Sequence, residues 1–157
     1  MAHPGSSSVA SSGASSSAVA GPERLYAGYL IAQAICGVVL WVVFAGVPTV
    51  RGWFELAADR HAVMDAFVFA DLVVVVLGSA LSAWGIAGRR SWAVPMVAFT
   101  AGAILYPTLY LIGWVSFKGT GALCLAIMIP STTLTCWVAY QVWKASNSGT
   151  RPRAVGS

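Results

Sequence analysis

Charge disappears from the chain in four long stretches. Residues 25–50, 91–117 and 119–143 carry no Asp, Glu, Lys or Arg, and residues 66–88 carry one, Asp71. Each stretch supplies the roughly 20 apolar residues that an α-helix needs to cross about 30 Å of hydrocarbon. The stretches are apolar on every side, unlike the alternating ~10-residue segments of a membrane β-barrel. The pattern predicts an all-α polytopic membrane protein, a four-transmembrane-helix bundle with spans over about 25–47, 63–86, 92–115 and 121–143. The linkers at 87–91 and 116–120 are short, so successive helices are expected to be antiparallel neighbours.

Outside these stretches the chain reads differently. Residues 1–24 are almost entirely Ser, Ala and Gly, too polar to offset their ordering entropy by burial, and are read as a disordered tail. Residues 145–157 are read as a second, basic tail. Pro48 should end the first span, and Trp53, Phe54 and Leu56 should form a turn lying on the headgroups. Trp53, Trp84, Trp92, Trp114 and Trp143 fall near span ends, where amphipathic rings anchor helices at the membrane surface.

Composition agrees: 58% of the 157 residues are hydrophobic and 9% are charged. A soluble domain carries about 25% charged residues, so these could not clothe a water-exposed surface. The formal charge of +4 does not mark a nucleic-acid binder, because the bases are scattered between helix ends with no basic face. Their distribution sets orientation instead. Arg24, Arg89, Arg90, Lys144, Arg151 and Arg153 flank one side; Arg51, Arg60 and Lys118 flank the other. Both termini are therefore expected in the cytoplasm. The excess of Arg over Lys and the lack of an organelle address suggest a bacterial plasma membrane.

Asp71 is the residue that most invites chemistry. An acid at the centre of a span costs about 2.5–3.5 kcal/mol on insertion scales, so it normally faces the bundle interior. Gly78, Ser82 and Gly85 follow it by 7, 11 and 14 residues. On a regular helix all three stay within about 40° of it, giving one small, polar packing stripe. Gly102, Tyr106, Tyr110 and Gly113 share a face of the third span, with Tyr106 near the depth of Asp71. Thr132 and Thr133 follow Pro130 near the middle of the fourth span. No span contains Lys, Arg or His, so Asp71 is expected to be protonated at neutral pH and to hydrogen-bond a Tyr or Thr hydroxyl. Asp71, Tyr106, Tyr110, Thr132 and Thr133 are thus the candidates for binding a ligand or proton. Gly78, Ser82, Gly85, Gly102 and Gly113 are the candidates for helix packing. Glu55, Asp59, His61 and Asp65 would form a polar vestibule above Asp71, or simply a solvated loop.

Several classes are disfavoured. Cys36, Cys124 and Cys136 form no Cys-x-x-Cys pair, and no intramembrane His is present to hold haem. No phosphate-binding glycine loop occurs, and Ser79 and Ser82 lack an activating base. No cofactor, metal or catalytic residue is assigned. Three readings stay open. The first is a non-enzymatic accessory subunit or lipophile-binding membrane protein. The second is an oligomeric, proton-linked small-molecule transporter using Asp71. The third is a lipid- or sterol-modifying enzyme in which Tyr106 or Tyr110 assists that acid. The partners to expect are the lipid bilayer, a lipophilic small molecule, and a second copy of the chain or a larger membrane complex.

Overall fold

The computed structural model describes residues 21–54 and 67–148. The vestibule residues Glu55, Asp59, His61 and Asp65, with Leu56 and most of both tails, lie outside the described residues. Five helices are described: α1 (Pro22–Gly46), α2 (Pro48–Phe54), α3 (Phe67–Ala87), α4 (Ala93–Lys118) and α5 (Ala122–Asn147). Among the described residues there is no strand. Helices α1, α3, α4 and α5 are each long and apolar enough to cross a membrane.

Some helix ends differ from the sequence reading. Pro22–Arg24 and Ala145–Asn147, read as tail, are helical. Pro22 stands in the first turn, where its missing N–H costs nothing, and Glu23 beside it complements the helix dipole. Helix α4 runs on to Lys118 and stops at Gly119, whose φ of 70° is a left-handed conformation that glycine adopts without a Cβ penalty.

Helix α1 packs on α3, α3 on α4 and α4 on α5, while α1 and α5 meet through long side chains. Tyr26 of α1 stacks edge-on against Trp137 of α5 at 5.5 Å between ring centroids. The Tyr29 hydroxyl lies 3.0 Å from the Ser131 carbonyl and 3.0 Å from Thr135 Oγ1. Thr135 Oγ1 donates to the Ser131 carbonyl at 2.7 Å and lies 3.0 Å from the Gln33 side-chain amide.

The two ends of the bundle pack differently. Toward the termini, Ala27, Leu30, Ala83, Ile86, Ala93, Val97, Val138 and Val142 form the buried core. Small side chains dominate it and let the backbones approach closely. At the opposite end the core is aromatic, with Phe44 and Phe54 packed at 4.9 Å between centroids against Leu40, Trp41 and Cys124. Large flat rings leave more space between helices than alanines do, and the cavity of interest lies there. Elsewhere big apolar side chains face outward, among them Phe69 at 76% exposure and Phe117 at 89%. A soluble protein rarely leaves such surface uncovered.

Helix α3 departs from α-geometry. From Asp71 to Leu77 it is a π-helix, closing i→i+5 turns before resuming as an α-helix at Gly78. Four consecutive valines, Val73 to Val76, occupy its middle. β-Branched side chains crowd the preceding turn of an α-helix, and the wider turn spaces them. Each π residue also advances the helix by less than 100°, so the segment rotates Asp71 relative to everything after Leu77.

Candidate functional site

That rotation decides which groups meet. Gly78, Ser82 and Gly85 are buried against α4 and its preceding turn. A Cβ on Gly78 would lie 3.0 Å from Thr100 Oγ1, Ser82 Oγ is 3.1 Å from the same oxygen, and a Cβ on Gly85 would press on Trp92 at 2.8 Å. Thr100 spends its one proton on the Met96 carbonyl at 3.0 Å, so Ser82 is the donor in the pair. Asp71 does not share this face. It turns toward α1, where it and the indole of Trp41 line the same space. The expected partner, a Tyr or Thr hydroxyl, is replaced by an indole, and the expected single stripe is split by the π segment.

Asp71 lines a half-open cavity of about 120 Å³ to which all four long helices and α2 contribute. Helix α1 supplies Leu40, Trp41 and Phe44, α2 supplies Phe54, and α3 supplies Phe67 with Asp71. Pro107, Tyr110 and Leu111 of α4 and Cys124, Ile127 and Met128 of α5 complete the wall. Phe54, expected to lie on the headgroups, instead turns inward and is 9% exposed, whereas its neighbour Trp53 is 65% exposed. Cys124 Sγ holds Phe54 in place through a weak S–H donation to its carbonyl at 3.2 Å. Trp41 meets Phe44 edge-to-face at 5.4 Å. The lining is therefore aromatic and aliphatic, with one carboxylate and no Lys, Arg or His among the described residues.

The other sequence candidates fall elsewhere. Tyr110 reaches the cavity edge, but Tyr106, about 40° further round the helix, is 75% exposed on the outer surface. A Cβ built on Gly102 or Gly113 would meet nothing within 4 Å, so neither packs closely against another described helix. Thr132 is buried on the α4–α5 seam, its Oγ1 2.6 Å from Thr108 Oγ1. Because Thr108 donates to the Ile104 carbonyl at 2.9 Å, Thr132 is the donor of that pair. Thr133 is exposed and bonds only its own helix, at the Ile129 carbonyl.

The sequence reading passed over most of the cavity wall. Trp41 carried a usable signal, since it is a Trp well inside a span rather than at its end. Trp41 and Phe44 are three apart and so share a helix face. Phe54 and Cys124 carried none, because only the fold of α2 against α5 brings them together. Gln33 was likewise overlooked; its Nε2 is buried without a hydrogen-bond partner among the described residues, as is Ser79 Oγ. No group of His, Cys, Asp or Glu among the described residues could hold a metal ion. Set against protein-family models, curated proteins and solved structures, the chain matches none.

Proposed function

We propose that this chain is a non-enzymatic, lipophile-binding integral protein of a bacterial plasma membrane, with both termini cytoplasmic. Four apolar helices and the six-to-three division of bases between their ends support the placement. The observation that carries the function is the cavity around Asp71. Binding sites for small molecules are concave, mainly apolar, and fitted with a few polar groups that fix orientation. A 120 Å³ space walled by rings and aliphatic chains, with one carboxylate and one indole N–H, has that character. It compares with the roughly 150 Å³ of an engineered cavity that takes up benzene.

Native mass spectrometry from a gentle neutral detergent tests this reading. The expected result is protein carrying one defined lipophile, absent from Leu111→Trp, in which the cavity is filled. A bare protein with scattered lipids would overturn it and favour an accessory subunit that has lost its partner.

A second reading, the oligomeric proton-linked transporter, draws support from the polar side chains along the α1–α5 seam. Tyr29, Gln33 and Thr135 lie there with the Ser131 carbonyl, on the terminal side of the cavity. It requires substrate-driven proton uptake in proteoliposomes that Asp71→Asn abolishes.

A further inference from the structure

The charge balance of the cavity narrows the ligand class. A carboxylate taken out of water is costly unless it is paired, and a carboxylate has about four acceptor sites. The Trp41 indole N–H beside it can satisfy one of them. Among the described residues no basic side chain lines the space, so the described wall supplies no counter-charge. What it supplies instead is aromatic. Rings from Trp41, Phe44, Phe54, Phe67 and Tyr110 come from four different helices and converge on the same volume as the acid. Aromatic faces carry negative potential and attract a cation that has shed its water. Several rings with one carboxylate suit a cation that is bulky and poorly hydrated. A compact, strongly hydrated primary ammonium would lose more by entering.

We propose that the cavity takes the quaternary or tertiary ammonium head of a lipophilic cation, held between Asp71 and the aromatic wall. This rests on the lipophile-binding reading above and adds the charge of the ligand to it. The volume admits a head group of about one ring's size, so the remainder of a longer ligand would extend from it. A phosphate joined closely to the head would meet no cation in the described wall, which disfavours a zwitterionic head buried whole.

The test compares two probes of nearly equal shape, benzyltrimethylammonium and neopentylbenzene, in which carbon replaces the charged nitrogen. Equilibrium dialysis of the full chain in neutral detergent, with empty micelles as reference, corrects for partitioning. The expected result is binding of both, with the cation tighter by roughly tenfold or more, since a desolvated cation–π contact and a carboxylate act together. Asp71→Asn should remove that preference while leaving neopentylbenzene bound, which also reports that the variant is folded. Should Asp71→Asn bind neither probe, Trp41→Leu serves as the second variant, and a several-fold loss for the cation alone is expected.

Equal affinity of the native chain for both probes would overturn the ammonium assignment and leave lipophile binding intact. A preference that survives both substitutions would overturn it as well. Binding of neither probe would sink the lipophile reading itself. In nanodiscs, displacement of the cation by phosphatidylcholine but not phosphatidylglycerol would place this ammonium on a lipid head group. Displacement by neither would place it on a soluble amphiphile. Either result supports the assignment.

Discussion

The same chemical change, glycine to alanine, should have opposite signs at two positions of this bundle. Gly78 is buried, and a Cβ there would sit 3.0 Å from Thr100 Oγ1. Gly102 meets nothing within 4 Å. Alanine gains about 1 kcal/mol over glycine in helix propensity at either site. At Gly78 that gain is opposed by overpacking, which costs about 1–3 kcal/mol. Thr100 cannot retreat freely, because its hydroxyl is fully buried between the Met96 carbonyl and Ser82 Oγ. Turning it away loses a bond of the kind worth about 0.6 kcal/mol on average between membrane helices. The net expectation is destabilisation by about 0.5–2.5 kcal/mol for Gly78→Ala and stabilisation by up to about 1 kcal/mol for Gly102→Ala. Reversible unfolding in mixed micelles, or steric trapping in bicelles, measures both. Thr100→Ala in the Gly78→Ala background should return part of the loss, since the new methyl then occupies the vacated space. If Gly78→Ala stabilises as much as Gly102→Ala, the close α3–α4 approach is wrong. A second copy of the chain seated on the Gly102 face would make only Gly102→Ala costly, and cross-linking would reveal it.

Three further outcomes follow from particular contacts. Thr108→Val and Thr132→Val should each cost about 0.6–1.7 kcal/mol and together less than the sum, because both break the same buried pair; additive losses in a double-mutant cycle would contradict the pairing. Arg89 Nε reaches Glu23 Oε2 at 3.1 Å, but the Arg89 side chain is 64% exposed; Arg89→Ala should change stability by less than about 1 kcal/mol, and that little should fade with added salt. For topology, a cysteine placed at Arg89 in a cysteine-free background should react with an impermeant maleimide only after cells are opened. One placed at Lys118 should react in intact cells, and the reverse pattern would invert the proposed orientation.

The helices were legible because hydrocarbon leaves the backbone few options. A nearly charge-free run of this length, if it crosses a bilayer, has to satisfy its N–H and C=O groups internally, so three uncharged stretches and one with a single acid lead directly to four long helices. The division into a tight end and an open end was half legible. Gly78, Ser82 and Gly85 fall on one face at 100° per residue, and the structure buries all three. Which helix they meet was not legible, since a small-residue stripe is compatible with any apolar neighbour. Gly102 and Gly113 make the same point from the other side: two small residues on one face of α4 pack closely against no other described helix.

The site was less legible than the fold because its geometry depends on one irregular segment. Every sequence argument that placed Asp71 beside Gly78 assumed that 100° per residue holds across Val73–Val76. The π turns break that assumption where the acid sits, and turn it from the α4 seam toward Trp41. Single π turns inside α-helices recur at functional sites, where they re-aim a side chain without ending the helix. Here the segment separates two jobs that a regular helix would have put on one face. Gly78, Ser82 and Gly85 stay available for close packing on α4, while Asp71 is presented to a space bounded by the other long helices. Deleting one residue from Val73–Val76 would draw the segment back toward α-geometry and carry Asp71 away from Trp41. Trp41 stands against Asp71 in the native chain, so a probe in the cavity should quench its fluorescence, isolated by replacing the other tryptophans with Phe. In the deletion variant that quenching should be lost while the helical circular dichroism stays unchanged. Retained quenching would show that the cavity forms without the π segment, and that the orientation of Asp71 has another cause.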